Sequence, residues 1–278
     1  MTDATRAGGD SGVSAEIAAR LEAALELAQA GGEITLEHFN TGALEVEKKR
    51  DGTPVTVADR ACERFIRDEI VRRFPGDGVL GEEFGETLAA DPEGCRWILD
   101  PIDGTKSFVH GVPLYGTLIG IERRGEIVAG VIRMPALEEV VYASAGGGAW
   151  WQRGAGEPVR ARVSKIGALA EACVCTTSLG YFDDAGFGEV FAELSKRAGL
   201  LRGWSDCYAH LLVATGRAEA AVEPGIGLWD IAPMPVIMRE AGGVYTDWNG
   251  RARHDQRHGI SSNGVVLDEI LELTRGRG

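Results

Sequence analysis

Trp97-Ile98-Leu99-Asp100-Pro101-Ile102-Asp103-Gly104-Thr105 drives an apolar, strand-like run into two carboxylates three residues apart and then into a Gly-Thr step. Carboxylates this close resist joint ionisation unless a hard divalent cation lies between them, so the stretch predicts a metal site at a strand end. The Gly104-Thr105 step opens a short helix, expected from Thr105 to about His110, whose first backbone N–H groups lack helical partners and face the same place. A cation site beside an anion hole suits phosphate chemistry.

An oxygen-ligated divalent ion takes about six donors, so further ligands must come from elsewhere in the chain. Upstream, Val79-Leu80-Gly81-Glu82-Glu83 is a second short apolar strand running into acids. Downstream, Gly227-Leu228-Trp229-Asp230-Ile231-Ala232-Pro233 sets Asp230 at the start of a helix that is expected to continue through Pro235 to Ala241 and stop at Gly242-Gly243.

Composition narrows the class. With 44% hydrophobic and 26% charged residues the chain reads as an ordinary globular enzyme. A net charge of −13 without a basic stripe excludes nucleic acid as a partner. The five cysteines (Cys62, Cys95, Cys173, Cys175, Cys207) lack paired C-x-x-C spacing and read as free thiols. The longest apolar run, over 111–121, is too short and too glycine-rich to span a bilayer, so a cytoplasmic protein without membrane contact is expected.

Residues 1–12 are small and polar and read as a disordered tail; 13–278 read as a single unit with halves 13–155 and 156–278. Apolar spacing from Ser14 predicts a long helix softened at Gly31-Gly32, and a second helix enters at Thr56 with Asp59 as its cap and ends at Pro75-Gly76. Runs at 114–122, 126–134, 138–143 and 149–152 predict an antiparallel meander. Beyond it, strands at 172–176, 200–202 and 218–222 alternate with helices at 187–197, 207–215, 229–241 and 264–274, a layered α/β pattern.

Gly81-Glu82-Glu83, Asp100-Pro101-Ile102-Asp103-Gly104-Thr105 and Trp229-Asp230 with Glu240-Ala241-Gly242-Gly243 resemble, in order and spacing, the three signatures of the inositol monophosphatase superfamily of Mg²⁺-dependent phosphomonoesterases. The resemblance extends from about residue 15 to 275. Lys106-Ser107-Phe108-Val109-His110-Gly111-Val112-Pro113-Leu114-Tyr115-Gly116-Thr117-Leu118-Ile119 and Trp204-Ser205-Asp206-Cys207-Tyr208 are more similar to its histidinol-phosphatase branch, although Ser205 stands where Gly is common. The resemblance implies an α+β, α/β layered sandwich (α-β-α-β-α), two or three Mg²⁺ ions, a homodimer, and hydrolysis of a small-molecule phosphate monoester: L-histidinol phosphate in histidine biosynthesis, with inositol 1-phosphate, a 3′-phosphonucleotide or a sugar bisphosphate as alternatives.

Residue by residue, it implies Glu82, Asp100, the Ile102 carbonyl, Asp103 and Asp230 as metal ligands, with Asp100 as the bridge. Thr105 would hydrogen-bond the attacking water with Glu82 or Glu83 accepting onward, and the Gly104 and Thr105 amides would hold the phosphate. Lys49 matches a family position near the metals, although it also sits in a Lys-Lys-Arg run. Asp206 and Glu223 are expected to face the leaving group, where two acids suit a cationic amine or imidazolium better than a neutral polyol. His110 and His210 lie near the motifs and read as structural. Outside enzymes, the acids would instead form a structural metal site, which needs no anion hole.

Overall fold

The computed structural model describes residues 7–41, 46–48, 54–204, 206–253 and 257–277. The chain opens with α1 (Ala7–Leu36), the short pair β1 (Val46–Lys48) and β2 (Pro54–Thr56), and α2 (Val57–Arg73). It continues through β3 (Gly78–Gly81), β4 (Gly85–Thr87), β5 (Cys95–Asp103), α3 (Thr105–Val109), β6 (Gly116–Arg123), β7 (Glu126–Met134), β8 (Glu139–Ser144), β9 (Gly148–Arg153) and β10 (Val159–Arg160). The second half comprises β11 (Cys173–Thr176), α4 (Leu179–Asp184), α5 (Gly188–Arg197), β12 (Leu200–Arg202), α6 (Cys207–Ala214), β13 (Ala220–Pro224), α7 (Leu228–Ile231), α8 (Met234–Glu240), β14 (Val244–Thr246), β15 (His258–Ser262) and α9 (Leu267–Thr274).

Among the described residues the strands build an eight-stranded sheet, β10-β9-β8-β7-β6-β5-β3-β4, and a five-stranded sheet, β12-β11-β13-β15-β14, beside the pair β1-β2. The larger sheet is antiparallel except where β3 and β5 run parallel. In the smaller one β11 is parallel to both β12 and β13. Strand alternation sends Trp97, Leu99, Ile119 and Ile121 to one face, where they pack against Leu27 and Ala28 of α1 and Ile66 and Ile70 of α2. Ile98, Leu118, Ile132 and Met134 point the other way, into a middle layer formed by α6, α7 and α8 that also meets Cys175 and Ala221 of the second sheet. Val174, Val222 and Ile260 cover that sheet's outer face against Phe182, Leu194 and Ile270 of α4, α5 and α9. The order of layers is therefore α-β-α-β-α, as the family resemblance implies.

Three expectations change. The helix expected from Ser14 begins at Ala7, inside the stretch read as a tail. It also passes through Gly31-Gly32 without a break. A Cβ at Gly31 would stand 2.9 Å from Cys62 Sγ and from Ile66 Cδ1, and one at Gly32 2.9 Å from Pro135 Cγ, so these glycines allow α2 and the Pro135 turn to approach. The single helix expected over 229–241 is two, α7 and α8, separated at Ala232-Pro233. The reason lies beneath it: Gly120 and Gly130 are register partners on β6 and β7. Cβ atoms there would come within 2.6 Å of Ala232 Cβ and 2.7 Å of Pro233 Cα. The paired glycines form a notch that seats the junction, and α7 with Asp230 hangs from it. No helix among the described residues is long and apolar enough to cross a membrane, and all five cysteines are free.

Candidate active site

The chain's acids meet at the C-terminal ends of β3, β5 and β13. β3 lies parallel to β5 with Gly81 opposite Leu99, and the Glu82 N–H donates to the Leu99 carbonyl at 3.2 Å, so Glu82 leaves its strand beside Asp100. Asp100 and Asp103 are an odd number of residues apart, which in a regular strand puts them on opposite faces. A bulge between them restores the parity: Asp100 pairs with Leu118 and Asp103 with Gly116, so one residue more lies on β5 than on β6. Thr117 Oγ1 pins the bulge by donating to the Pro101 carbonyl at 2.9 Å.

Asp100, Asp103 and Asp230 each offer a carboxylate oxygen, and these lie within 4.8 Å of one another. Asp100 is 2% exposed and Asp103 8%. Burial pushes the Asp100 carboxyl well above its ordinary range, and the charges of Glu82, Asp103 and Asp230 push it further. Asp103 is raised in the same direction by burial, then by Asp206 and Asp230, against a lowering hydrogen bond with the Cys207 side chain; its Oδ2 also accepts the Cys207 N–H at 2.5 Å. Among the described residues no cationic side chain pairs with Asp100 or Asp103. Oxygen donors this crowded, two buried on β5 and one half-buried on α7, fit a hard divalent cation. Asp230 holds its place by accepting the Gly227 N–H at 2.7 Å.

The cleft around them has a volume of about 430 Å³. Glu82, Asp100, Ile102, Asp103, Gly104, Thr105, Asp206, Glu223 and Asp230 all line it. Gly104 adopts φ +87°, a left-handed turn that a side chain would resist, and α3 starts immediately after it. Ile102 donates its N–H to Asp100 Oδ1 at 3.0 Å, and its carbonyl accepts the Thr105 hydroxyl at 3.1 Å. Glu83 is not among the lining residues: its N–H donates to Glu63 Oε2 at 2.7 Å. Lys49 and Ser205 lie outside the described residues. His110 is exposed and bonds the Lys106 carbonyl of its own turn at 2.7 Å, and His210 is buried.

Asp59 is a helix cap and does not line the cleft. Its Oδ2 accepts the Thr56 N–H and hydroxyl at 2.8 and 2.6 Å, closing a capping box. Burial, with Glu83 nearby, raises its carboxyl to about 6. Glu223 differs from expectation. Rather than presenting bare oxygens to a leaving group, it accepts the Asp206 N–H at 3.0 Å and bonds His210 Nε2 at 2.9 Å.

Sequence reading missed one wall. Thr177, Ser178 and Tyr181 line the cleft from the end of β11 and from α4, and Lys106 reaches over the Tyr181 ring at 4.3 Å from its centroid. Only the prediction that β11 and β13 belong to one α/β layer hinted that the residues after 176 would open beside those after 223.

A model of the inositol monophosphatase family matches residues 17–276. The chain belongs to that family. It is thereby a phosphoric monoester hydrolase, and its acidic cluster fits the metal dependence of the family. Similar relatives include the histidinol-phosphatase of Chlorobaculum parvum, 44% identical over 93% of this chain and 97% of the relative, and that of Mycobacterium tuberculosis, 39% identical over 89% and 95%. The inositol-1-monophosphatase of Mesorhizobium japonicum is 33% identical over 89% of this chain and 92% of the relative. Among solved structures, the extragenic suppressor protein suhB of Bartonella henselae superposes with a TM-score of 0.84 at 27% identity, covering 93% of this chain and 99% of that one. The Thermotoga maritima IMPase superposes at 0.80 with 33% identity over 93% and 97%.

Proposed function

We propose that this phosphatase hydrolyses L-histidinol phosphate to L-histidinol and phosphate as part of histidine biosynthesis, with two or three Mg²⁺ ions, as a cytoplasmic homodimer. Glu82, Asp100, the Ile102 carbonyl, Asp103 and Asp230 would hold the metals, which supply charge neutralisation and a lowered pKa for the attacking water. The chain's own groups do the rest. The Thr105 hydroxyl, now on the Ile102 carbonyl, turns to orient the water, with Glu82 accepting onward. The amides of Gly104 and Thr105 receive the phosphate oxygens at the start of α3.

The observation that carries the substrate choice is the position of Asp206: a Cβ on Gly104 would stand 3.1 Å from Asp206 Oδ2, so a further carboxylate overhangs the cleft beside the metal-cluster acids. A carboxylate there favours a leaving group that carries an ammonium or imidazolium. The histidinol-phosphatase names of the relatives at 36–44% identity support the same choice. The inositol-1-monophosphatase relative at 33% identity supports a second reading, inositol 1-phosphate. A substrate panel with Mg²⁺ separates them: turnover should be fastest on histidinol phosphate, and Asp206→Asn should reduce that preference. Faster turnover of inositol 1-phosphate, a nucleotide 3′-phosphate or fructose 1,6-bisphosphate would overturn the assignment.

A further inference from the structure

Asp206 holds a backbone conformation, φ +57° and ψ −155°, that residues with a side chain seldom adopt, and it does so at the lip of the cleft. Two successive N–H groups fix it there. The Asp206 N–H goes to Glu223 Oε1 at 3.0 Å and the Cys207 N–H to Asp103 Oδ2 at 2.5 Å, so the peptide is slung between a carboxylate of the second sheet and one of the first. Asp103 is a metal-cluster acid. Glu223, 3% exposed, has its other oxygen on His210 Nε2 at 2.9 Å. The His210 ring, 1% exposed on α6, is held in turn by Ser261 Oγ at its Nδ1, at 2.7 Å. Ser261 sits opposite Ala221 on β15, so the sheet itself sets the ring's position.

We propose that His210 is a positioning residue for substrate selection: by holding Glu223 against the main chain of Asp206, it maintains the positive-φ turn that suspends the Asp206 carboxylate over Gly104. His210 itself does not line the cleft. The chain of contacts is Ser261 to His210 to Glu223 to the Asp206 amide, and its output is the place of one carboxylate. Without the ring, Glu223 loses the partner of one buried oxygen and turns to find another; the Asp206 N–H is then released and the turn relaxes. This chain meets the metal end at the Cys207 N–H on Asp103, while the phosphate amides lie at the start of α3. Discrimination among leaving groups should therefore suffer more than hydrolysis as such. The inference rests on the reading of Asp206 as the contact for a cationic leaving group.

The test is steady-state kinetics of the full-length enzyme in saturating Mg²⁺ on histidinol phosphate and on p-nitrophenyl phosphate, for wild type, His210→Ala, His210→Gln and Ser261→Ala. His210→Ala should raise KM for histidinol phosphate about tenfold, the equivalent of one weakened charge-assisted contact, with kcat moving much less. KM for p-nitrophenyl phosphate should move several-fold less. His210→Gln, which keeps a donor toward Glu223, should recover most of the loss. Ser261→Ala, which leaves the ring in place, should shift KM in the same direction by less, and it serves if His210→Ala does not fold. Added to Asp206→Asn, His210→Ala should have no further effect on selectivity. Equal losses on both esters, a Gln variant no better than Ala, or multiplicative losses in the Asp206 background would each overturn the proposal. If wild type shows no preference for the cationic ester, the substrate reading fails by itself; the comparison is then scored on whichever ester wild type prefers, and equal losses again refute the role of His210.

Discussion

Replacing Asp100 by Asn should make the metal-free enzyme more stable and inactive, and should lose most of its lead over wild type when Mg²⁺ is added. The three carboxylate oxygens of Asp100, Asp103 and Asp230 lie within 4.8 Å of one another. At that distance, with an effective dielectric constant near 20, each ionised pair repels by about 3.5 kcal/mol. Asn at 100 removes two of those pairs while keeping an acceptor for the Ile102 N–H. Wild type can escape part of the repulsion by taking up a proton, and keeping an ordinary carboxyl neutral at pH 7 costs about 4 kcal/mol, which bounds the gain. A stabilisation of about 2–4 kcal/mol follows, which in a chain of this size raises Tm by roughly 5–10 °C. The sign with pH follows from the raised Asp100 carboxyl. Its penalty is absent in acid, where folded and unfolded chains are both protonated, and grows as pH rises past the ordinary carboxylate range. The gap between variant and wild type should thus be small near pH 4 and full at pH 7. Saturating Mg²⁺ at about a hundred times its Kd adds about 2.7 kcal/mol to wild type and little to the variant. Differential scanning calorimetry in EDTA and in Mg²⁺, with phosphate release measured alongside, reads all of this. A metal-free variant that melts at or below wild type, or equal Mg²⁺ shifts in both proteins, would falsify the electrostatic argument.

Three further outcomes are expected. Thr105→Ala should lower kcat by about a hundredfold, in the range of a lost proton-transfer partner, while leaving the Mg²⁺-induced Tm shift intact in the same calorimetric assay. Asp59, raised to about 6, keeps a proton between its ordinary pKa and 6 that the unfolded chain has already released, so stability should fall by about 3 kcal/mol as pH climbs through that window. Asp59→Asn should flatten this slope, and urea midpoints at pH 4.5 and 6.5 measure it. Gly120→Ala drives a methyl to 2.6 Å from Ala232 Cβ and should cost about 1–3 kcal/mol in urea unfolding, with a weaker Mg²⁺ response because α7 carries Asp230.

The site was legible in sequence where its chemistry is contiguous. Asp100, Asp103 and Gly104-Thr105 announce themselves because apolar flanks around paired acids make sense only with a compensating charge. The layers were legible for a similar reason: runs such as 126–134 alternate in a way that only a half-buried strand explains. What stayed hidden depends on residues that meet across the fold. Asp103 faces the same way as Asp100 through a bulge, and no local signal distinguishes that bulge from a strand that simply ends. Gly31-Gly32 reads as a helix breaker because propensity is local, yet its reason lies on α2 and at Pro135. The helix over 229–241 reads as continuous because its apolar spacing continues, while the glycine notch that splits it lies a hundred residues upstream on β6 and β7. Glu223 reads as a substrate contact because its partner His210 is brought to it by α6 folding back on β13.

The acids of the cleft come from different strata: Glu82, Asp100 and Asp103 from the ends of the first sheet's strands, Asp206 and Asp230 from the central helices, Glu223 from the second sheet. Neither half of the chain owns a working centre, so the enzyme behaves as a coincidence detector for its own maturation. A nascent chain with only the first sheet exported carries three acids and nothing to close the ring. The appearance of phosphatase activity during refolding should lag the formation of either sheet and mark the moment when the two halves meet.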